Sequence, residues 1–254
     1  MSNQQYDFNQ YTVESTKVNA TGKLSNTYIA NVFMWMFAAL GVSTIFALLF
    51  MNSPALMSYL IAYNPTTGGS KLSLLGYVAM FAPIGFVLLM SFGFQRLSST
   101  ALIGLFMLYA AINGISFSFI LLSYTSSSII GCFASAAAMF GIMAVMGYTT
   151  KKDLTSFGRI LTMGLIGIVV AMLINMFLKS NTMGYIVSIL GVAIFTGLTA
   201  WDVQKLKNIG AGVEYGEISA NDGKKLGILG ALTLYLDFIN IFLFLLRLFG
   251  SRRD

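Results

Sequence analysis

The chain has 254 residues, of which 57% are hydrophobic and 9% are Asp, Glu, Lys or Arg, and its formal net charge is +6. An ordinary soluble domain carries about 25% charged residues, so the polar side chains needed to cover a water-soluble globule are missing. The sequence reads as an integral membrane protein whose partner is the lipid bilayer, with no nucleic acid. A single cysteine, Cys132, excludes an intrachain disulfide. The absence of histidine excludes His-containing zinc sites, Ser-His-Asp and Cys-His catalysis, and haem held by His.

Residues 1–26 are polar without an apolar core and form a tail, expected in the cytoplasm. The first apolar run is too long and too late for a cleavable signal. A crossing helix needs about 20 apolar residues. Seven runs meet this: 27–51, 74–94, 101–122, 129–148, 160–178, 183–204 and 226–249. Residues 27–250 are therefore expected to form one seven-span domain. Between the first two runs, Ala55 to Tyr63 is apolar but short and follows Pro54, which suggests a turn of interfacial helix or part of a loop. In the fourth run Gly131, Ser135 and Ala138 share one side, while Gly164 and Gly167 mark the fifth. Small residues there are expected to let neighbouring backbones approach.

Fourteen of the fifteen basic residues lie outside the seven runs. With the N-terminus inside, the cytoplasmic side receives ten of them and the opposite side five: Lys71, Lys179, Arg247, Arg252 and Arg253. That bias follows the positive-inside rule for seven full crossings. The basic tail dissents, and a last span that dips and returns would place it inside.

Of nine acidic residues, seven lie in tails or loops. Asp202 lies near the end of the sixth run and Asp237 lies inside the seventh. An Asp at the bilayer centre costs about 2.5–3.5 kcal/mol on insertion scales and usually faces the bundle interior. At 100° per residue, Thr233, Asp237 and Asn240 form one polar stripe, and Gly184, Gly191, Leu198 and Asp202 share a face. Two carboxyls meeting in low dielectric would share one proton. Shared, the proton would hold two helices together; without it, the charges repel and offer oxygen to a hard cation such as calcium. Counted from Lys225 and Lys207, Asp237 lies about 18 Å deep and Asp202 about 8 Å, so their contact is left open.

FTGLTAWDVQKLK and LTLYLDFINIFLFLLRLFG resemble the two signature stretches of the Bax inhibitor-1 family, the transmembrane Bax-inhibitor-motif proteins, and YAAINGISFSFILLSY in the third run is also similar to that family. The resemblance implies an all-α integral membrane fold of seven transmembrane helices, six surrounding a central C-terminal seventh. It also implies a pH-sensing pair at Asp202 and Asp237, with Arg96 as a basic partner of that pair. The implied function is a pH-sensitive calcium leak, associated with cytoprotection in eukaryotes; the polar stripe makes Thr233 and Asn240 the expected lining, and Asp202 and Asp237 the expected calcium contacts. The loop expected from Val203 to Lys225 is longer than in the shortest bacterial members.

A second reading is a non-conducting regulator that binds a membrane AAA protease or cell-death and stress factors through its polar tail. Proton-coupled transport lacks an inverted repeat with broken helices. An intramembrane aspartyl protease would need a glycine beside a catalytic Asp, and neither Asp202 nor Asp237 has one. No enzyme and no cofactor are expected. The expected location is a bacterial inner membrane, or the endoplasmic reticulum in a eukaryote.

Overall fold

The computed structural model describes residues 23–63 and 70–253. Nearly all of them are helical. The order is α1 (Lys23–Asn52), α2 (Pro54–Leu60), β1 (Ile61–Tyr63), β2 (Ser70–Leu72), α3 (Leu74–Gly93), α4 (Ser99–Leu122), α5 (Ser126–Thr149), α6 (Thr155–Leu178), α7 (Asn181–Glu214) and α8 (Ala220–Phe249). All the helices except α2 are long and apolar enough to cross a membrane, as the seven runs predict. Helices are the only open solution there, because they bond every backbone group internally. Residues 1–22 of the expected tail lie outside the described residues. The chain divides into two compact units, one holding α1 as far as Phe33 with Ser127–Ser251, the other Met34–Ser126 with the residues from Arg252.

In the second unit, Pro83 stands inside α3 and has no N–H to give the carbonyl of Ala79, four residues earlier. The Ser116 hydroxyl of α4 donates to that carbonyl instead. Ser43 of α1 donates to the Ala110 carbonyl at 2.7 Å. Gly114 permits that approach, since a Cβ there would meet the backbone of Ser43. The Ala55–Tyr63 segment resolves into the short helix α2, begun by Ser53 and Pro54, and then β1, which pairs antiparallel with β2. The hairpin is not foreshadowed by the sequence pattern, because three-residue strands are too short to show an alternation.

In the first unit, α8 is the most enclosed span: 78% of its most apolar stretch is buried, against 6% for α6. That is the property a central helix requires. It packs on α7 along its length, and Phe238 meets the rings of Phe133 and Phe140 on α5 edge to face. Helix α1 begins at Lys23, ahead of its apolar run, and the Ser25 N–H donates to the Glu214 carboxylate at 3.3 Å. A carboxylate at a helix N-terminus is electrostatically favourable. Glu214, read from the sequence as a loop charge, is thus a cap supplied by α7.

Two expectations are corrected here. The loop from Val203 to Lys225 is mostly helix: α7 continues to Glu214, and only Tyr215–Ser219 connects it to α8. The polar Lys205–Glu214 segment ended the apolar run without ending the helix. Gly131, Ser135 and Ala138 do not pack; they are exposed, with nothing near Gly131, and the Ser135 hydroxyl bonds back to the Gly131 carbonyl at 2.9 Å. Gly167 is also open, whereas Gly164 meets Ile194. The close approach occurs elsewhere, at Gly147, where a Cβ would strike the Ala200 backbone of α7, and at Gly158, which lies under the Trp201 ring.

Helix α8 runs unbroken for 30 residues, about 45 Å, long enough to cross fully. Beyond it, the Ser251 N–H donates to the Ser128 hydroxyl and the Arg253 N–H to the Ser123 carbonyl, both at 3.0 Å. The C-terminal tail therefore lies at the α4–α5 turn, the end that seven full crossings require. A dipping and returning α8 would bring it to the other end.

Replacing Ser116 with Ala orphans the Ala79 carbonyl and is expected to cost about 1–3 kcal/mol in detergent unfolding. Adding Pro83→Ala supplies an N–H and should recover most of it. Strictly additive losses would show that Ser116 does not replace the missing helix bond. A pH effect is expected at the start of α6. Hydrogen bonds from the Thr155 hydroxyl and backbone N–H, aided by the Arg159 charge, hold the exposed Asp153 carboxyl below the usual carboxylate range. A depressed value means that this contribution is present above the ordinary carboxylate range and lost as pH falls through the folded-state value. Amide exchange at Thr155 should accelerate in acid, and Asp153→Asn should flatten the dependence.

Candidate functional site

Helices α7 and α8 form an antiparallel hairpin. Its rungs are Val213 on Gly223, Leu206 on Gly230, and the Phe244 ring on Gly191. Phe195 stacks on Phe244 with ring centres 6.0 Å apart. At Gly191 the close approach forbids a side chain, since a Cβ would fall 2.5 Å from the Phe244 ring. Asp202 and Asp237 lie between the Leu206 and Phe195 rungs. Measured from the Val213–Gly223 rung, Asp202 lies about 17 Å along α7 and Asp237 about 21 Å along α8. Two carboxyl side chains bridge that difference, and the depth conflict left by residue counting disappears.

The two carboxyls interact with each other and are only 7% and 3% exposed. Bare carboxylates have no donor, so a hydrogen bond between them needs one shared proton. Oδ2 of Asp237 is buried without a hydrogen-bond partner among the described residues, and so are the hydroxyls of Tyr28 and Thr196.

Lys205 is the cation whose charge acts on Asp202. Its ammonium group lies 5.4 Å from the centre of the Trp201 ring, one helical turn away. Arg96 belongs to the other unit, in the turn after α3, where its side chain is exposed. Thr233 and Asn240 share the Asp237 face, as the periodicity predicts. Both turn back on their own helix, Thr233 donating to the Leu229 carbonyl at 3.1 Å and Asn240 to the Leu236 carbonyl at 2.8 Å.

Gln204 is a residue that sequence reading passed over. Its buried amide accepts from the Leu154 N–H and donates to the Lys152 carbonyl, each at 2.8 Å. It fixes the α5–α6 turn to α7 beside Asp202. A polar residue two places from an intramembrane acid was the available signal. Lys207 adds a second tie, donating to the Tyr148 carbonyl at 2.8 Å.

Among the described residues no third Asp, Glu or Cys joins the pair. Two carboxyls fall short of the six to eight oxygens that a resident calcium takes. What the arrangement can do is hold two helices by one proton and, without it, present two negative charges in a medium that solvates them poorly.

The model of the family described as "Inhibitor of apoptosis-promoting Bax1" matches residues 25–254. The Escherichia coli inner membrane protein YbhL is 44% identical over 227 residues, spanning 89% of this chain and 92% of that protein. An uncharacterized protein of Deinococcus radiodurans is 39% identical over 228 residues, 90% of this chain and 91% of its own. One from Borreliella burgdorferi is 37% identical over 232 residues, with 91% and 94% covered. The match spans both motif segments and all seven spans. The chain belongs to the Bax inhibitor-1 family of membrane proteins.

Proposed function

We propose that this protein is a pH-sensitive cation leak, with calcium as its cargo, working without a cofactor and without enzymatic chemistry. The observation that carries the reading is the burial of two mutually interacting carboxyls, Asp202 and Asp237, between α7 and α8. In the protonated pair a shared-proton hydrogen bond closes the hairpin. Losing the shared proton sets two negative charges against each other, worth about 4 kcal/mol at 4 Å and an effective dielectric of 20. That is enough to shift a two-state packing of the helices. The freed carboxylates then supply hard oxygen ligands to a passing cation, the chemistry calcium prefers. In this reading Thr233 and Asn240 line the opened face, and Lys205 is the cation that biases the pair. The setting is the inner membrane with the N-terminus in the cytoplasm, as the placement of lysine and arginine favours.

Purified protein in liposomes loaded with a calcium indicator tests this. Flux should rise as pH is raised, and Asp237→Asn, which cannot become charged, should remove the pH response and change flux by about tenfold or more. Unaltered flux and pH response in both Asp202→Asn and Asp237→Asn would contradict the proposal. An absence of flux from the intact protein at any pH would favour the regulator reading, in which the protein binds a membrane protease or stress factor.

A further inference from the structure

Lys179 and Arg247 are two of the five basic residues that depart from the charge bias of the loops. In the structure both line one cavity of about 400 Å³, where the α6–α7 turn meets the C-terminal end of α8. Neither side chain has a hydrogen-bond or ion-pair partner among the described residues. Asn175 lies between them, with Met172, Met176 and Val187 as an apolar wall.

The cavity is shaped around the guanidinium. Arg247 lies over Gly184, where a Cβ would collide with Nη2 and would stand 3.4 Å from the Asn175 amide nitrogen. Asn175 is itself fixed, its side-chain oxygen accepting from the Ser180 N–H at 3.0 Å. Lys179 adopts a left-handed backbone, with φ at 51°, a conformation that suits glycine. A lysine there carries a conformational cost that no side-chain hydrogen bond or ion pair among the described residues offsets.

The local field is positive. The N-terminus of α7 and the C-terminus of α6 contribute roughly half a charge each of opposite sign and nearly cancel. Two full cationic charges remain. A guanidinium fork matches a phosphate bidentately, and an ammonium supports it as a point charge. The methionine wall on the same side suits a hydrocarbon chain, whose association a free ion would not need.

We propose that this cavity binds the headgroup of an anionic phospholipid, its phosphodiester held by Arg247 and Lys179 and its acyl chain lying along α6 at Met172 and Met176. The shared chemistry is a phosphate anion, and the apolar wall assigns it to a lipid in place of inorganic phosphate. The site is independent of the Asp202–Asp237 pair.

Native mass spectrometry of the full chain, with phosphatidylglycerol, phosphatidylcholine and inorganic phosphate as separate probes, tests the assignment. Phosphatidylglycerol should be retained in preference to phosphatidylcholine. Each of Lys179→Gly and Arg247→Gln should lower that retention about fivefold, the effect of one cation near an anionic headgroup, while Lys152→Gln leaves it unchanged. Lys179→Gly should not lower the detergent unfolding temperature, because glycine relieves the backbone; loss of lipid with the fold intact separates binding from folding. Equal retention of the two lipids, or undiminished phosphatidylglycerol binding in both variants, would overturn the proposal. Displacement of phosphatidylglycerol by equimolar inorganic phosphate would overturn it too, by showing a free-anion site.

Discussion

Asp202 and Asp237 are buried between α7 and α8, where each is the other's nearest acidic neighbour and the two interact directly. A lone carboxyl at that depth would be left without either water or a donor, and a lone carboxylate would be costlier still. The pair therefore imposes a register on α7 and α8, and the rungs at Gly191, Gly223 and Gly230 are the close contacts that make this register possible. The great length of α7 follows from the same requirement. It runs on through polar residues to reach the turn that sends α8 back at the right height, and its final residue caps α1.

The same scarcity of solvent governs the remaining polar side chains. Hydroxyls that would face lipid or packed helices donate to carbonyls: Thr199 to Phe195 and Ser188 to Gly184, both at 2.8 Å on their own helix. Ser43 and Ser116 donate across to a neighbouring helix. The bond from Ser116 carries the most meaning, because it repairs the carbonyl that Pro83 leaves without a donor. A bundle with so few charges uses hydroxyls and one buried glutamine where a soluble protein would use ion pairs. Exposed charge is concentrated at the helix ends, where Lys179 and Arg247 gather at a single cavity.

Hydropathy made the seven spans legible, because a 20-residue apolar run has few alternatives in water or lipid. The polar stripe of Thr233, Asp237 and Asn240 was legible from the 100° period. Three features were not. Helix α7 beyond Lys205 is polar, so the apolar pattern ends while the backbone hydrogen bonds continue. Small residues on α5 read as an interface, but Gly131 and Ser135 are exposed and Gly147, further along, makes the approach. Smallness permits contact without specifying a partner. The tie from Gln204 to Lys152 and Leu154 depends on how a loop folds back, which no periodicity encodes. Residue counting placed the two aspartates at different depths because it started from Lys207 and Lys225, which stand six and two residues from the Val213–Gly223 rung and so at different heights.

The central claim is that Asp202 and Asp237 act as one unit joining α7 to α8. A double-mutant cycle on unfolding free energy, with Ala at 202, at 237 and at both, measures that joining directly. Removing one carboxyl strands the other in the bilayer interior, whereas removing both strands neither. The double variant should therefore lose less than the two single losses combined, by about 1–3 kcal/mol of coupling. Additive losses, within about 0.5 kcal/mol, would show that the two aspartates do not hold the hairpin together.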